Sequence, residues 1–173
     1  MTVQIEDRDN GVRIVRLTGA AASKSFSRES LPIIAEAIDS GLKDHSVKAM
    51  IITGDGKFFS AGADIHAFQE AIDADDAPQL IRDLTNILHP LLVRMRQSST
   101  VVVAAVNGAA AGGGLGLALA CDVRIGPPKA KLASSYASIR LSPDGGTTWL
   151  LPRLFGEQVK RRFFFENQNL SAE

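Results

Sequence analysis

The residues best placed to do chemistry are glycines. Gly108, Gly112, Gly113, Gly114 and Gly116 fall in "AAVNGAAAGGGLGLALACDVRI", residues 104–125, with apolar residues on both sides. The run is not a dinucleotide fingerprint, because Leu117 stands where G-x-G-x-x-G needs its last glycine, and no Gly-Lys-Ser/Thr closes it as a phosphate loop. The serine-hydrolase elbow G-x-S-x-G occurs nowhere in the chain. Two readings stay open for the run: close helix–strand packing, and donation of backbone N–H groups to an oxygen that gains charge. A second stretch, "GKFFSAGADI" at 56–65, also leaves a buried strand through small residues and enters a helix. Two such loops could aim two N–H groups at one oxygen.

The side chains add one carboxylate in a suggestive place, Asp144 in "SPDGG". By itself Pro-Asp-Gly is an ordinary turn, and Asp144 could cap a helix over 145–155. His45, His66 and His89 are scattered without metal-ligand spacing, so no metal is assigned. Cys121 is the single cysteine; it excludes an internal disulfide and reads as a packing residue.

These groups need a scaffold, and the apolar pattern supplies one. Strands are expected at 2–6 and 12–17 around an Asn10-Gly11 turn, at 47–53, 100–106 and 122–125. Helices are expected at 28–43 behind a Ser27 cap, at 63–68, at 76–96 with a distortion near Pro90, and at 114–121. No internal repeat is visible. Strand, helix, strand, glycine loop, helix, strand is α/β order, and ligands of such folds gather where strands end and helices begin.

Composition narrows the partners. The 173 residues are 45% hydrophobic, which fits one domain over 1–173. Nineteen basic and nineteen acidic side chains cancel, so nucleic acid and anionic membranes are not expected partners. No secretory signal or membrane-spanning run is read, and a cytoplasmic location is expected.

The pair "FSAGADI" and "VNGAAAGGGLGLALACD", with the later "LSPDGGTTWLLPRLFG" and the closing "LSAE", resembles the enoyl-CoA hydratase/isomerase (crotonase) family from about residue 2 to the chain end. The resemblance implies an α/β fold with a crotonase-like ββα spiral core. By the same resemblance the family's C-terminal helical region is expected to be largely absent from these 173 residues, since members continue with further helices beyond this point. It implies an acyl-CoA thioester substrate, no cofactor beyond the coenzyme A carried by that substrate, and a homo-oligomer, either a trimer or a dimer of trimers. It also implies that backbone N–H groups of Ala63 and Gly113 stabilise an enolate oxygen. Family hydratases carry two glutamates, at the positions of Gly116 and Tyr136, and neither is a carboxylate here. Asp144 matches the aspartate of single-carboxylate isomerases. Tyr136, Leu141 and Trp149 are expected in the acyl pocket. Lys24, Ala61, Asp64 and Ile65 are expected near coenzyme A, with helix capping as the plainer role of Asp64. Asn107 and Asp122 read as structural. The expected activity is double-bond isomerisation. Hydration, another reaction of the family, or non-catalytic acyl-CoA binding are the alternatives.

Overall fold

The computed structural model describes residues 3–171. Thr2 of the first expected strand, and Ala172 and Glu173 of the closing LSAE, lie outside the described residues. The chain opens with an antiparallel hairpin of β1 (Val3–Arg8) and β2 (Val12–Leu17), in register from Val3–Leu17 to Arg8–Val12. Gly11 makes the turn at φ 80°, which a side chain would resist. A short α1 (Ala20–Ser23) leads to α2 (Ser30–Lys43), whose Leu31, Ile34, Ala35 and Ile38 are buried one helical turn apart. Ser27 does serve this helix start: its Oγ accepts the N–H groups of Glu29 at 3.3 Å and Ser30 at 3.1 Å.

From here one unit recurs three times. Strand β3 (Ala49–Thr53) is followed by β4 (Phe58–Ser60) and then by α3 (Ile65–Asp73) and α4 (Ala77–Gln97). Strand β5 (Val101–Ala105) is followed by β6 (Ala109–Ala111) and α5 (Gly113–Ala120). Strand β7 (Val123–Ile125) is followed by β8 (Lys131–Ala133), a 3-10 turn (Ala137–Ile139) and α6 (Thr147–Phe155). The first strand of each unit joins a five-stranded sheet ordered β1-β2-β3-β5-β7; the second joins a four-stranded sheet ordered β4-β6-β8-β9, where β9 is Leu170–Ser171. Within both sheets the units follow one another in parallel. Each unit therefore advances both sheets by one strand, which is the ββα spiral.

This repeat has no counterpart in the sequence because β4, β6 and β8 are three-residue strands, too short for a pattern. The helix expected at 63–68 runs instead over Ile65–Asp73, and α4 continues through Pro90 without a break. Pro90 lies on the exposed side of α4, where its missing N–H leaves no buried acceptor unpaired. The opposite side buries Leu80, Leu84, Leu88, Leu91, Leu92 and Met95. A smaller apolar cluster joins Leu115 and Leu119 of α5, Leu151 of α6 and Phe163 of α7 (Glu157–Phe165), whereas Phe165 is 84% exposed.

Polar pins hold the corners between strands. Asn107 accepts the Gly54 N–H at 2.9 Å and donates to the carbonyls of Phe58 at 3.1 Å and Gly56 at 3.3 Å, tying the end of β5 to the β3–β4 turn. Asp122 accepts the Val102 N–H at 2.9 Å and pairs with Arg96 at 2.9 Å. Both are structural residues, as their sequence context suggests. Replacing Asn107 with Ala leaves several backbone groups without a partner. The expected loss is about 2 kcal/mol of unfolding free energy, read as a lowered urea midpoint with an unchanged slope.

Candidate active site

The A-G-A loop is built by hydrogen bonds to the segment before α2. Ala61 N–H donates to the Ala22 carbonyl at 2.8 Å, and Phe26 N–H donates to the Gly62 carbonyl at 3.0 Å. The buried Ser60 hydroxyl donates to Ser25 Oγ at 2.8 Å and accepts the Gly62 N–H at 3.4 Å. Phe26 and Ala63 form a parallel bridge, but the bridge uses the groups flanking Ala63: the Gly62 carbonyl and the Asp64 N–H, the latter 3.5 Å from the Phe26 carbonyl. The Ala63 N–H is left outside the ladder and donates to no group among the described residues.

The second loop arrives from β6. Gly112 has φ 52° and immediately precedes α5, so Gly113 opens the helix with its N–H unpaired among the described residues. The two loops touch through backbone. A Cβ on Gly62 would stand 2.6 Å from the Ala111 carbonyl oxygen and 3.2 Å from the Gly113 nitrogen. A Cβ on Gly113 would run into the Phe26 ring, and one on Gly114 into the Ser60 carbonyl. The close-packing reading of the glycine run holds, and that packing brings two residues with N–H groups unpaired among the described residues to one cavity.

That cavity encloses about 430 Å³ and is lined by Ala61, Ala63, Ile65, Gly112, Gly113, Tyr136, Leu141 and Asp144, with Phe26 and the α4 residues Ile81, Leu84, Thr85 and Leu88. Asp144 is its single carboxylate among the described residues. The Asp144 side chain does not cap α6; its backbone carbonyl does that work, accepting Thr147 N–H at 3.0 Å and Thr147 Oγ1 at 2.7 Å. The carboxylate instead accepts the Tyr136 phenol at 2.9 Å through Oδ1. Burial pushes the Tyr136 phenol up, and the neighbouring Asp144 charge adds to this, so the phenol stays a donor.

The match to known proteins fits this geometry. A family model described as enoyl-CoA hydratase/isomerase covers residues 7–173. The chain belongs to the enoyl-CoA hydratase/isomerase family. It is 35% identical to the probable enoyl-CoA hydratase EchA14 of Mycobacterium tuberculosis over 95% of this chain and 62% of that protein. It is 32% identical to the 1,2-epoxyphenylacetyl-CoA isomerase of Escherichia coli, over 95% of this chain and 63% of that protein. The structure of Pseudomonas aeruginosa DspI superposes with a TM-score of 0.86 at 32% identity, covering 99% of this chain and 68% of that one. The chain thus spans about 62% of the length of the first of these relatives.

Gly116, which the family resemblance sets at a hydratase glutamate position, lies against the turn that carries Asp144: a Cβ there would stand 2.5 Å from the Gly145 carbonyl oxygen. The backbone occupies the space a side chain would need.

Trp149, Lys24 and Asp64 are not among the residues that line this cavity. Trp149 does not line the cavity with Ala63 and Gly113. It is 62% exposed on α6, beneath the Arg153 guanidinium, and borders a neighbouring cavity of about 900 Å³. The cause is helical phase: α6 turns Leu151 inward and Trp149 outward. Lys24 and Asp64 form an ion pair at 2.9 Å, and Asp64 also caps α3 by accepting the His66 N–H at 3.0 Å. Sequence reasoning missed Phe26, the Ser25–Ser60 pair and the cavity face of α4. Only the last had a signal, the Leu84–Leu88 spacing, and that reads equally as core. Cys121 is buried, and burial pushes its thiol up to about 12; Sγ donates to the Leu117 carbonyl at 3.3 Å. Among the described residues no helix is long and apolar enough to cross a membrane.

Asp64 gives a pH test. Burial pulls its carboxyl upward, but the Lys24 ammonium and the His66 N–H outweigh this and hold it below the ordinary value. A depressed folded value stabilises the fold above the unfolded carboxyl pKa of about 4 and stops doing so as pH falls through the folded value. The stability gap between the parent and Asp64→Asn is expected to be wide at pH 7 and to shrink toward pH 3, measured by urea denaturation at both.

Proposed function

We propose that this protein is an acyl-CoA double-bond isomerase that uses Asp144 as its acid and base. The carrying observation is that one apolar cavity holds a single carboxylate and two unpaired backbone N–H groups, from Ala63 and Gly113. The thioester oxygen of a 3-enoyl-CoA accepts from both donors. Asp144 removes a proton beside the carbonyl, charge moves to the thioester oxygen, and the same carboxylic acid returns the proton two carbons further on. The reverse order runs the reaction backward. Fixed donors favour the enolate because they need no reorganisation as charge develops, and the start of α5 adds its positive end.

The walls serve the same reading. Tyr136 and Leu141, with Leu84 and Leu88, supply apolar surface to the acyl group. Ala61 and Ile65 flank Ala63 along the cavity, and the Lys24–Asp64 pair beside them faces the coenzyme A part. Hydration is disfavoured because it needs groups that hold and deprotonate a water. Here one hydratase position is filled by the Gly116–Gly145 contact and the other carries a phenol already committed to Asp144.

Incubation with a 3-enoyl-CoA in deuterated water tests the reading. The parent chain is expected to form the conjugated 2-enoyl thioester with label uptake, and Asp144→Asn to lose about 10²–10⁴-fold in rate, as loss of a positioned acid–base group does. Full activity in Asp144→Asn, or a hydrated product from the parent, overturns it.

A further inference from the structure

We infer that Tyr136 is a positioning residue that decides which oxygen of Asp144 carries the travelling proton. The inference rests on the reading of Asp144 as the acid and base. Tyr136 is 5% exposed, and its hydroxyl lies 2.9 Å from Asp144 Oδ1, with a longer contact of 3.4 Å to the Asp144 backbone oxygen. The phenol is the one side chain among the described residues that donates to this carboxylate.

The chemistry follows from which atom is occupied. In the ionised state Oδ1 accepts from the phenol and Oδ2 is left to face the substrate. Breaking a substrate C–H bond places that proton on Oδ2 and leaves the electron pair in the enolate. Oδ1 is then the carbonyl oxygen of the acid and still accepts the same O–H. The hydrogen bond therefore survives both halves of the cycle, and neither half requires the carboxyl group to turn. Tyr136 itself transfers no proton, because its phenol remains protonated throughout. The turn around Asp144 makes this anchor necessary. Gly145 and Gly146 follow at φ 55° and 72°, and residues 143 and 144 border a cavity on either side, so this stretch is thinly packed. The Tyr136 bond restrains the carboxylate where side-chain packing is sparse.

A merely structural tyrosine would change stability, whereas this role changes the fate of a proton. In deuterated water, a held carboxylic acid returns much of the original hydrogen before it exchanges. Tyr136→Phe is expected to lower kcat about 10- to 100-fold with KM within about twofold, as a misplaced catalytic group does. Its product is also expected to carry a higher fraction of solvent label per turnover than the parent's. A kcat and label fraction equal to the parent's, in a chain where Asp144→Asn is inactive, overturns the inference while leaving the base intact. A fully active Asp144→Asn, or a parent without isomerase turnover, overturns the base and this inference with it.

The chain contains a single tyrosine, so growth on 3-fluorotyrosine labels only this site. This measurement holds even if Tyr136→Phe folds poorly. The fluorine resonance is expected to move in Asp144→Asn. A resonance indifferent to Asp144→Asn overturns the inference.

Discussion

Successive turns of the spiral rest on one another through backbone, and this contact governs the molecule. A Cβ on Gly108 would run into the Lys57 carbonyl, and one on Gly126 would stand 2.8 Å from the Val106 carbonyl oxygen. Gly62 meets Ala111, Gly114 meets Ser60 and Gly116 meets Gly145 in the same way. Each contact joins one ββα unit to the next. Side chains at these points would wedge the layers apart, because a packed interior has little room to yield. The site is a product of this stacking. Where the first and second units meet, Ala63 and Gly113 present their N–H groups; where the second and third meet, the turn bearing Asp144 is drawn over α5.

The Ala63 N–H is unpaired among the described residues because the ladder skips it. A parallel bridge spends every second residue's groups, and Phe26 spends those of Gly62 and Asp64. Ala63 lies between them and lines the cavity. Gly113 is spared for a different reason: the first residues of a helix have no partner one turn earlier. A strand edge and a helix start thus supply the two donors, and neither depends on the identity of a side chain.

Much of this was legible before any coordinates. The long amphipathic segments α2 and α4 and the buried strands β3 and β5 followed from periodicity, since each had enough residues for a period to show. The three-residue strands β4, β6 and β8 did not, and with them went the repeat itself. Asp144, Ala63 and Gly113 stand out by their motifs, and the fold brings all three to one cavity. Trp149 was placed in the acyl pocket from nearness in sequence, but helical phase turned it away. The Tyr136–Asp144 bond is not legible at all: the path between them runs through a 3-10 turn and a left-handed Arg140, and no pattern reports where such a path returns.

The Gly116–Gly145 contact also bears on how this chain could change over generations. A carboxylate at residue 116 needs more than a change of that codon, because the first atom of any side chain would stand 2.5 Å from the Gly145 carbonyl oxygen. The 142–146 turn would have to be displaced, and that turn carries the aspartate. A side chain at 116 and a new path for the turn would therefore have to arrive together, so the contact couples two stretches of sequence that lie far apart along the chain.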